Sequence, residues 1–134
     1  MKIFDNVFSA LEKSMDIRYK RHAVLTGNVA NADTPGYHAR EVDFAGELNR
    51  VIHGSGPEAL VKTNPRHMDT STDSAAHTIL DESGAIGADG NNVDLDIQLG
   101  KVSSNSRSYQ SALSLYDMKL RLLRLAARPR TGGL

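Results

Sequence analysis

The sequence predicts a mainly α chain: an antiparallel, coiled-coil-like pair of long N- and C-terminal helices with an irregular, partly extended insertion between them. Three observations predict it. Apolar residues recur at helical steps from Phe4 to Val29, and a heptad repeat runs from Leu95 to Leu123. Between them, residues 54–91 are rich in Gly, Ser, Thr, Asp, Asn and Pro and hold few apolar groups, too few to order that stretch alone.

A chain of 134 residues has room for one core, so one folding unit is expected. It divides into an N-terminal helix 1–31, a Pro-Gly corner and extended segment 32–45, and a short helix plus loose acidic insertion 46–91. A C-terminal helix 92–127 and a tail 128–134 complete it.

In the first helix Phe4, Val7, Phe8, Leu11, Met15, Leu25 and Val29 fall at three- and four-residue steps. Arg18 to His22 make the same face polar at mid-length, so the partner changes along the helix. Pro35 and Gly36 end it. Proline has no N–H and pushes Thr34 out of helical space, while glycine accepts positive φ, so Thr34-Pro35-Gly36-Tyr37 fits a type II turn. His38 to Phe44 reads as extended, and Glu47 to His53 as a short helix. In the insertion, Ile79-Leu80 and Ala85-Ile86 flank a turn-like Asp81-Glu82-Ser83-Gly84 and suggest a small β-hairpin.

The C-terminal helix carries the clearest pattern. Asn92 is its expected N-cap, with Asp94 and Asp96 favourable beside the positive helix end. Leu95, Leu99, Val102, Ser106, Tyr109, Leu113, Tyr116, Leu120 and Leu123 then alternate steps of four and three. A second stripe of Leu115, Met118, Leu122 and Leu125 lies beside that seam, and two stripes imply two neighbours, one of them in another subunit.

Charge is distributed unevenly although the formal net charge is zero. Residues 1–40 carry +2, residues 41–100 carry −8 and residues 101–134 carry +6, a pattern suited to association between copies. The absence of cysteine excludes disulfide scaffolds and thiolate chemistry. Nothing in the first residues has the apolar run of a secretory signal. His67, Asp69 and Asp73 match no standard metal spacing, and Gly54-Ser55-Gly56-Pro57 comes after a helix rather than a strand, unlike a nucleotide loop. The histidines at 22, 38, 53, 67 and 77 are scattered, so no catalytic, metal or cofactor site is expected. Lys119, Arg121, Arg124, Arg128 and Arg130 raise the alternative of a basic amphipathic helix for nucleic acid or an anionic membrane surface. The interleaved leucines favour protein packing instead.

The run from Leu25 through Asn28-Val29-Ala30-Asn31-Ala32-Asp33-Thr34-Pro35-Gly36-Tyr37 to Phe44 resembles the signature of the flagellar basal-body rod family. Asp33 and Arg40-Glu41-Val42-Asp43-Phe44 look like its proximal branch, and Asp89-Gly90-Asn91-Asn92-Val93-Asp94 is similar to that branch's downstream motif. Gly27 departs from the pattern and is expected to fray the helix.

This resemblance implies a structural, non-enzymatic subunit, self-associating in the periplasmic rod through its terminal helices. It further implies export through the flagellar type III channel without a cleaved signal, a link from MS ring and export gate to the distal rod, and transmission of torque. FlgC, FlgF, FlgG and FliE are the partners it implies. The expected helix interface comprises Phe4, Phe8, Leu11, Met15, Leu95, Leu99, Val102, Tyr109, Leu113, Tyr116, Leu120 and Leu123. Asn28, Ala30, Asn31, Asp33 to Tyr37, Asp89 to Asn91, Val93 and Asp94 are the expected assembly motif.

Overall fold

A computed structural model describes residues 2–53 and 77–127, with side chains described from 6 to 49 and from 77 to 127. Helix α1 spans Lys2–Ala30, strand β1 Arg40–Val42, helix α2 Phe44–His53, strand β2 Thr78–Leu80 and helix α3 Leu95–Ala126. The chain is thus mainly helical, with long first and last helices and a two-stranded antiparallel sheet between them.

At ~1.5 Å per residue α1 and α3 are roughly 43 and 48 Å long. They pack antiparallel. Asn28 meets Gln98 near one end, Asn105 meets Arg18 at mid-length, and Phe8 and Glu12 meet Tyr116 towards the other. The Phe8 and Tyr116 rings lie edge to face, 5.1 Å apart. Gly27 does not fray α1, which continues to Ala30. Backbone hydrogen bonds on both sides of a single glycine outweigh its weak intrinsic propensity.

Four details differ from the sequence expectations. The short helix begins at Phe44, three residues earlier, because Asp43 accepts hydrogen bonds from Gly46 N and, through its backbone carbonyl, from Glu47 N. Helix α3 is capped by Asp94, whose carboxylate accepts from Ile97 N, and not by Asn92, whose side chain is used elsewhere. Ile79-Leu80 does not pair with Ala85-Ile86. Instead β2 pairs with β1 in the register Arg40 with Leu80, Glu41 with Ile79 and Val42 with Thr78. Asp81, at the start of the intervening turn, bonds to Gln98 and Lys101 of α3 and to Asn92 rather than closing a hairpin.

The fourth concerns the core. Among the described residues the buried apolar side chains are Ile17, Leu25, Ala39, Val42 and Ala112. Buried beside them are Asn28, Glu47, Asp81, Asn91, Asn92, Gln98 and Asn105, so polar side chains outnumber apolar ones. On α3 the fully inward positions are Gln98, Asn105 and Ala112, at heptad spacing. The expected seam shared Val102, Tyr109 and Tyr116 with this one but used Leu99, Ser106 and Leu113, each one residue further on. At ~100° per residue, moving one of the two seam rows by one residue turns the centre of the face by roughly 50°.

Candidate functional site

Two features of the fold are candidates: a polar corner where α1 turns back towards α3, and an apolar face of α3 that none of the described residues covers.

The corner begins with the turn. Tyr37 N donates to Thr34 O at 3.2 Å across Pro35 and Gly36, and Gly36 has φ +71°. That region of backbone space admits glycine without penalty, and Pro35 presets the preceding torsion. Gly36 N donates to Asp89 O at 2.9 Å. Gly90, with φ +80°, lets its own backbone approach Gly36 closely. The two sequence motifs, about fifty residues apart, therefore fold against each other.

Carboxamides hold them together. Asn91 Nδ2 donates towards Asn31 O, Ala32 O and Thr34 O at 3.0, 2.8 and 2.9 Å, satisfying carbonyls that the end of α1 leaves without helical partners. Asn92 Oδ1 accepts from Ala39 N at 2.7 Å and its Nδ2 donates to Asp81 O at 2.7 Å. Asn28 is fully buried. It donates to Arg40 O and Gln98 Oε1 at 2.7 and 3.0 Å, and accepts from Arg40 N and Tyr37 Oη at 3.0 and 3.1 Å. Asn31 Nδ2 donates to Gly27 O within its own helix. Ala30, Asp33, Thr34, Pro35 and Asp94 lie at the surface of the same corner, and Val93 is half-buried there.

Beside the corner, four charges from four segments form a chain. Arg21 grips Glu41 with two bonds of 2.7 and 2.8 Å, a forked geometry suited to a carboxylate. Lys101 reaches Glu41 at 3.5 Å and Asp81 at 2.5 Å, and Gln98 Nε2 donates to Asp81 at 2.8 Å. Burial opposes the charge on Asp81. Hydrogen bonds from Lys101, Ser83 and Gln98 outweigh it and hold the carboxyl far below the usual carboxylate range. Glu41 is lowered in the same way, its burial overcome by Arg21. The Glu41 hydrogen bond raises Arg21.

Of the residues expected at the helix interface, Phe8, Leu11, Met15, Val102, Tyr109, Tyr116 and Leu120 are half-buried between the helices. The side chain of Phe4 lies outside the described residues. Leu95, Leu99, Leu113 and Leu123 are exposed, as is the second stripe: Leu115 at 54%, Met118 at 59%, Leu122 at 60% and Leu125 at 62%. Single exposed leucines are ordinary, but a continuous apolar side of a helix is a contact surface. Gln98, Asn105 and Lys101 carry no sequence signal of their own, and Arg21, Glu41 and Asp81 enter there only as parts of a polar stretch, a motif and a turn. A lone Gln or Asn in a helix resembles any solvated position.

A groove of about 290 Å³ between α1 and α3 is lined by Arg18, Tyr19, His22, Asn105, Ser106 and Tyr109, among others. Among the described residues no group of His, Asp or Glu is arranged to hold a metal, and no helix is long and apolar enough to cross a membrane. The expectations at His67, Asp69, Asp73 and Gly54 to Pro57 lie outside the described residues.

No protein-family model matches the chain. It is similar to the flagellar basal body rod protein FlgB of Salmonella typhimurium, 34% identical over 116 residues, covering 82% of this chain and 84% of the relative. The protein of the same name in Escherichia coli is 36% identical over 112 residues, covering 77% and 79%. That of Bacillus subtilis is 32% identical over 134 residues, covering 99% of both.

Proposed function

Because the chain belongs to the FlgB family of flagellar basal body rod proteins, we propose that this rod subunit is built into the proximal, periplasmic part of the rod through its terminal helices. There it links the MS ring and export gate to the distal rod and transmits torque. Its neighbours are further copies of itself, FlgC, FliE and, beyond them, FlgF and FlgG. It reaches that place through the flagellar type III channel without a cleaved signal. Its role is structural and not enzymatic.

The observation that carries the reading is the apolar stripe Leu115, Met118, Leu122 and Leu125 of α3, which the described residues leave exposed. Burying the exposed half of such a side chain against a neighbour contributes about 1 kcal/mol, so the four together supply a driving force for assembly. The asparagine-rich corner, in this reading, sets the angle at which the middle of the chain leaves the helical array. The basic end of α3 supports packing better than phosphate binding: Arg121 pairs with Asp117 at 2.7 Å and Lys119 lies over the Phe8 ring.

The test is swimming and basal-body composition in a strain lacking this gene, complemented with the full chain or with one truncated after Asn92. Rods restored by the full chain alone support the reading. Intact rods in the deletion strain refute it. Unchanged rods with Pro35→Ala and Gly36→Ala together remove the role of the corner.

A further inference from the structure

Helix α3 has two sides on which it could pack against α1, and the chain uses the less apolar one. The inward positions Gln98, Asn105 and Ala112 repeat every seven residues, and the first two are only 1% and 2% exposed. One residue further on, Leu99 and Leu113 point outward at 45% and 47%. Apolar burial alone favours the reverse arrangement, with the leucines inside and the carboxamides in water.

Hydrogen bonds oppose that arrangement. Gln98 Oε1 accepts from Asn28 Nδ2 at 3.0 Å and Gln98 Nε2 donates to Asp81 Oδ2 at 2.8 Å. Asn105 Nδ2 donates to Arg18 O at 2.9 Å, a backbone carbonyl on the facing helix. This last bond fixes the amide orientation, because a flipped amide would set oxygen against oxygen. It leaves Asn105 Oδ1 buried with no partner among the described residues. An unmet buried acceptor lowers stability, so Asn105 is a poor choice for stability alone.

We infer that Gln98 and Asn105 determine the specificity of assembly: hydrogen bonds from their buried carboxamides fix which side of α3 faces α1 and so reserve the leucine side for neighbouring subunits. Buried polar residues at helix seams select one arrangement in this way because the alternatives set leucine against their buried partners, here the Asn28 carboxamide, and leave those unpaired. The inference rests on the rod reading for what the leucine side meets, but not for which side faces inward.

The test uses the full chain, which has no cysteine of its own, carrying a single reporter at Ala112→Cys or Leu113→Cys. In the parent background the thiol at 113 should react with a maleimide on the order of tenfold faster than the thiol at 112, in line with the exposure of the two positions. The substitutions Gln98→Met and Asn105→Leu keep volume and remove the hydrogen bonds. With both in place α3 has apolar groups on both sides, and the ratio should fall below about threefold while helix content is kept. In cells the same double variant should be made but support fewer rods. A ratio that stays near tenfold in the double variant overturns the inference. Should the double variant lose helix content, Asn105→Leu alone, which lies outside the Asn28 and Asp81 network, decides by the same ratio. Failure of the parent chain to restore rods in a deletion strain counts against the rod reading and leaves the labelling result standing.

Discussion

Replacing Asn28 by alanine removes four hydrogen bonds from a side chain that has no exposure at all. The four losses are unequal. Arg40 N and O and Tyr37 Oη lie at the edge of the corner, and water can replace Asn28 there, so each costs about 0.5 kcal/mol. Gln98 Oε1 is sealed between the helices, and an acceptor left unmet there costs about 1–3 kcal/mol. The expected loss is about 3 kcal/mol. For a chain of this length that lowers the melting temperature by roughly 10 °C. Thermal and urea unfolding followed by circular dichroism measure it, with Thr26→Ala as the control. Thr26 is exposed and bonds only within its own turn of α1, so that change should stay within about 0.5 kcal/mol. If Asn28→Ala destabilises by less than about 1 kcal/mol, or by no more than the control, the corner is not held by its carboxamides and the reasoning fails.

The same geometry dictates further outcomes. Gly36→Ala adds a Cβ that meets nothing within 4 Å yet sits at φ +71°, so it should destabilise by about 1 kcal/mol from backbone strain. Gly27→Ala, in helical backbone with equally open space, should instead stabilise by about 0.5–1 kcal/mol, both read from the same melts. Asp81 and Glu41 have folded pKa values depressed below their unfolded ones, so their contribution is present above the unfolded values near 4 and is lost as pH falls through the acid range. Unfolding free energy measured from pH 7 to pH 2 should decline accordingly, and Asp81→Asn should be less stable at pH 7 with a shallower acid limb. Leu115→Ser with Leu122→Ser should leave the melting curve of the isolated chain within about 1 kcal/mol of the parent and yet abolish rod assembly, scored by swimming and basal-body composition.

Much of the architecture was legible because it depends on local signals. The apolar steps of α1 and α3, and the Pro35-Gly36 break after α1, rest on periodicity and on two residues with restricted or permissive backbones. The start of α2 is also legible, since Asp43 before Phe44 is an ordinary capping residue. The β1 and β2 pairing was not, because two three-residue strands 38 residues apart leave no periodic trace. Capping of α3 was ambiguous for a physical reason. Asn91, Asn92 and Asp94 can all cap, and only the tertiary partners of the two asparagines take them out of contention. The face of α3 was misplaced because periodicity weighs apolar character alone. Gln98 and Asn105 count as surface in such a scheme, and their buried roles depend on Asn28 and Arg18, some seventy and ninety residues away.

The corner draws its members from positions near 28, 40, 81, 92 and 98, and it closes only when the last of them arrives. A chain appearing N-terminus first therefore carries Asn28 for seventy residues before Gln98, the last of its partners, exists. Because the waiting group is a carboxamide, water satisfies it in the interval, and the early helix shows solvent a hydrated end in place of a greasy one. The latch that orders the finished subunit is thus also what keeps the unfinished one from sticking, a protection that a corner built of leucine and isoleucine would lack.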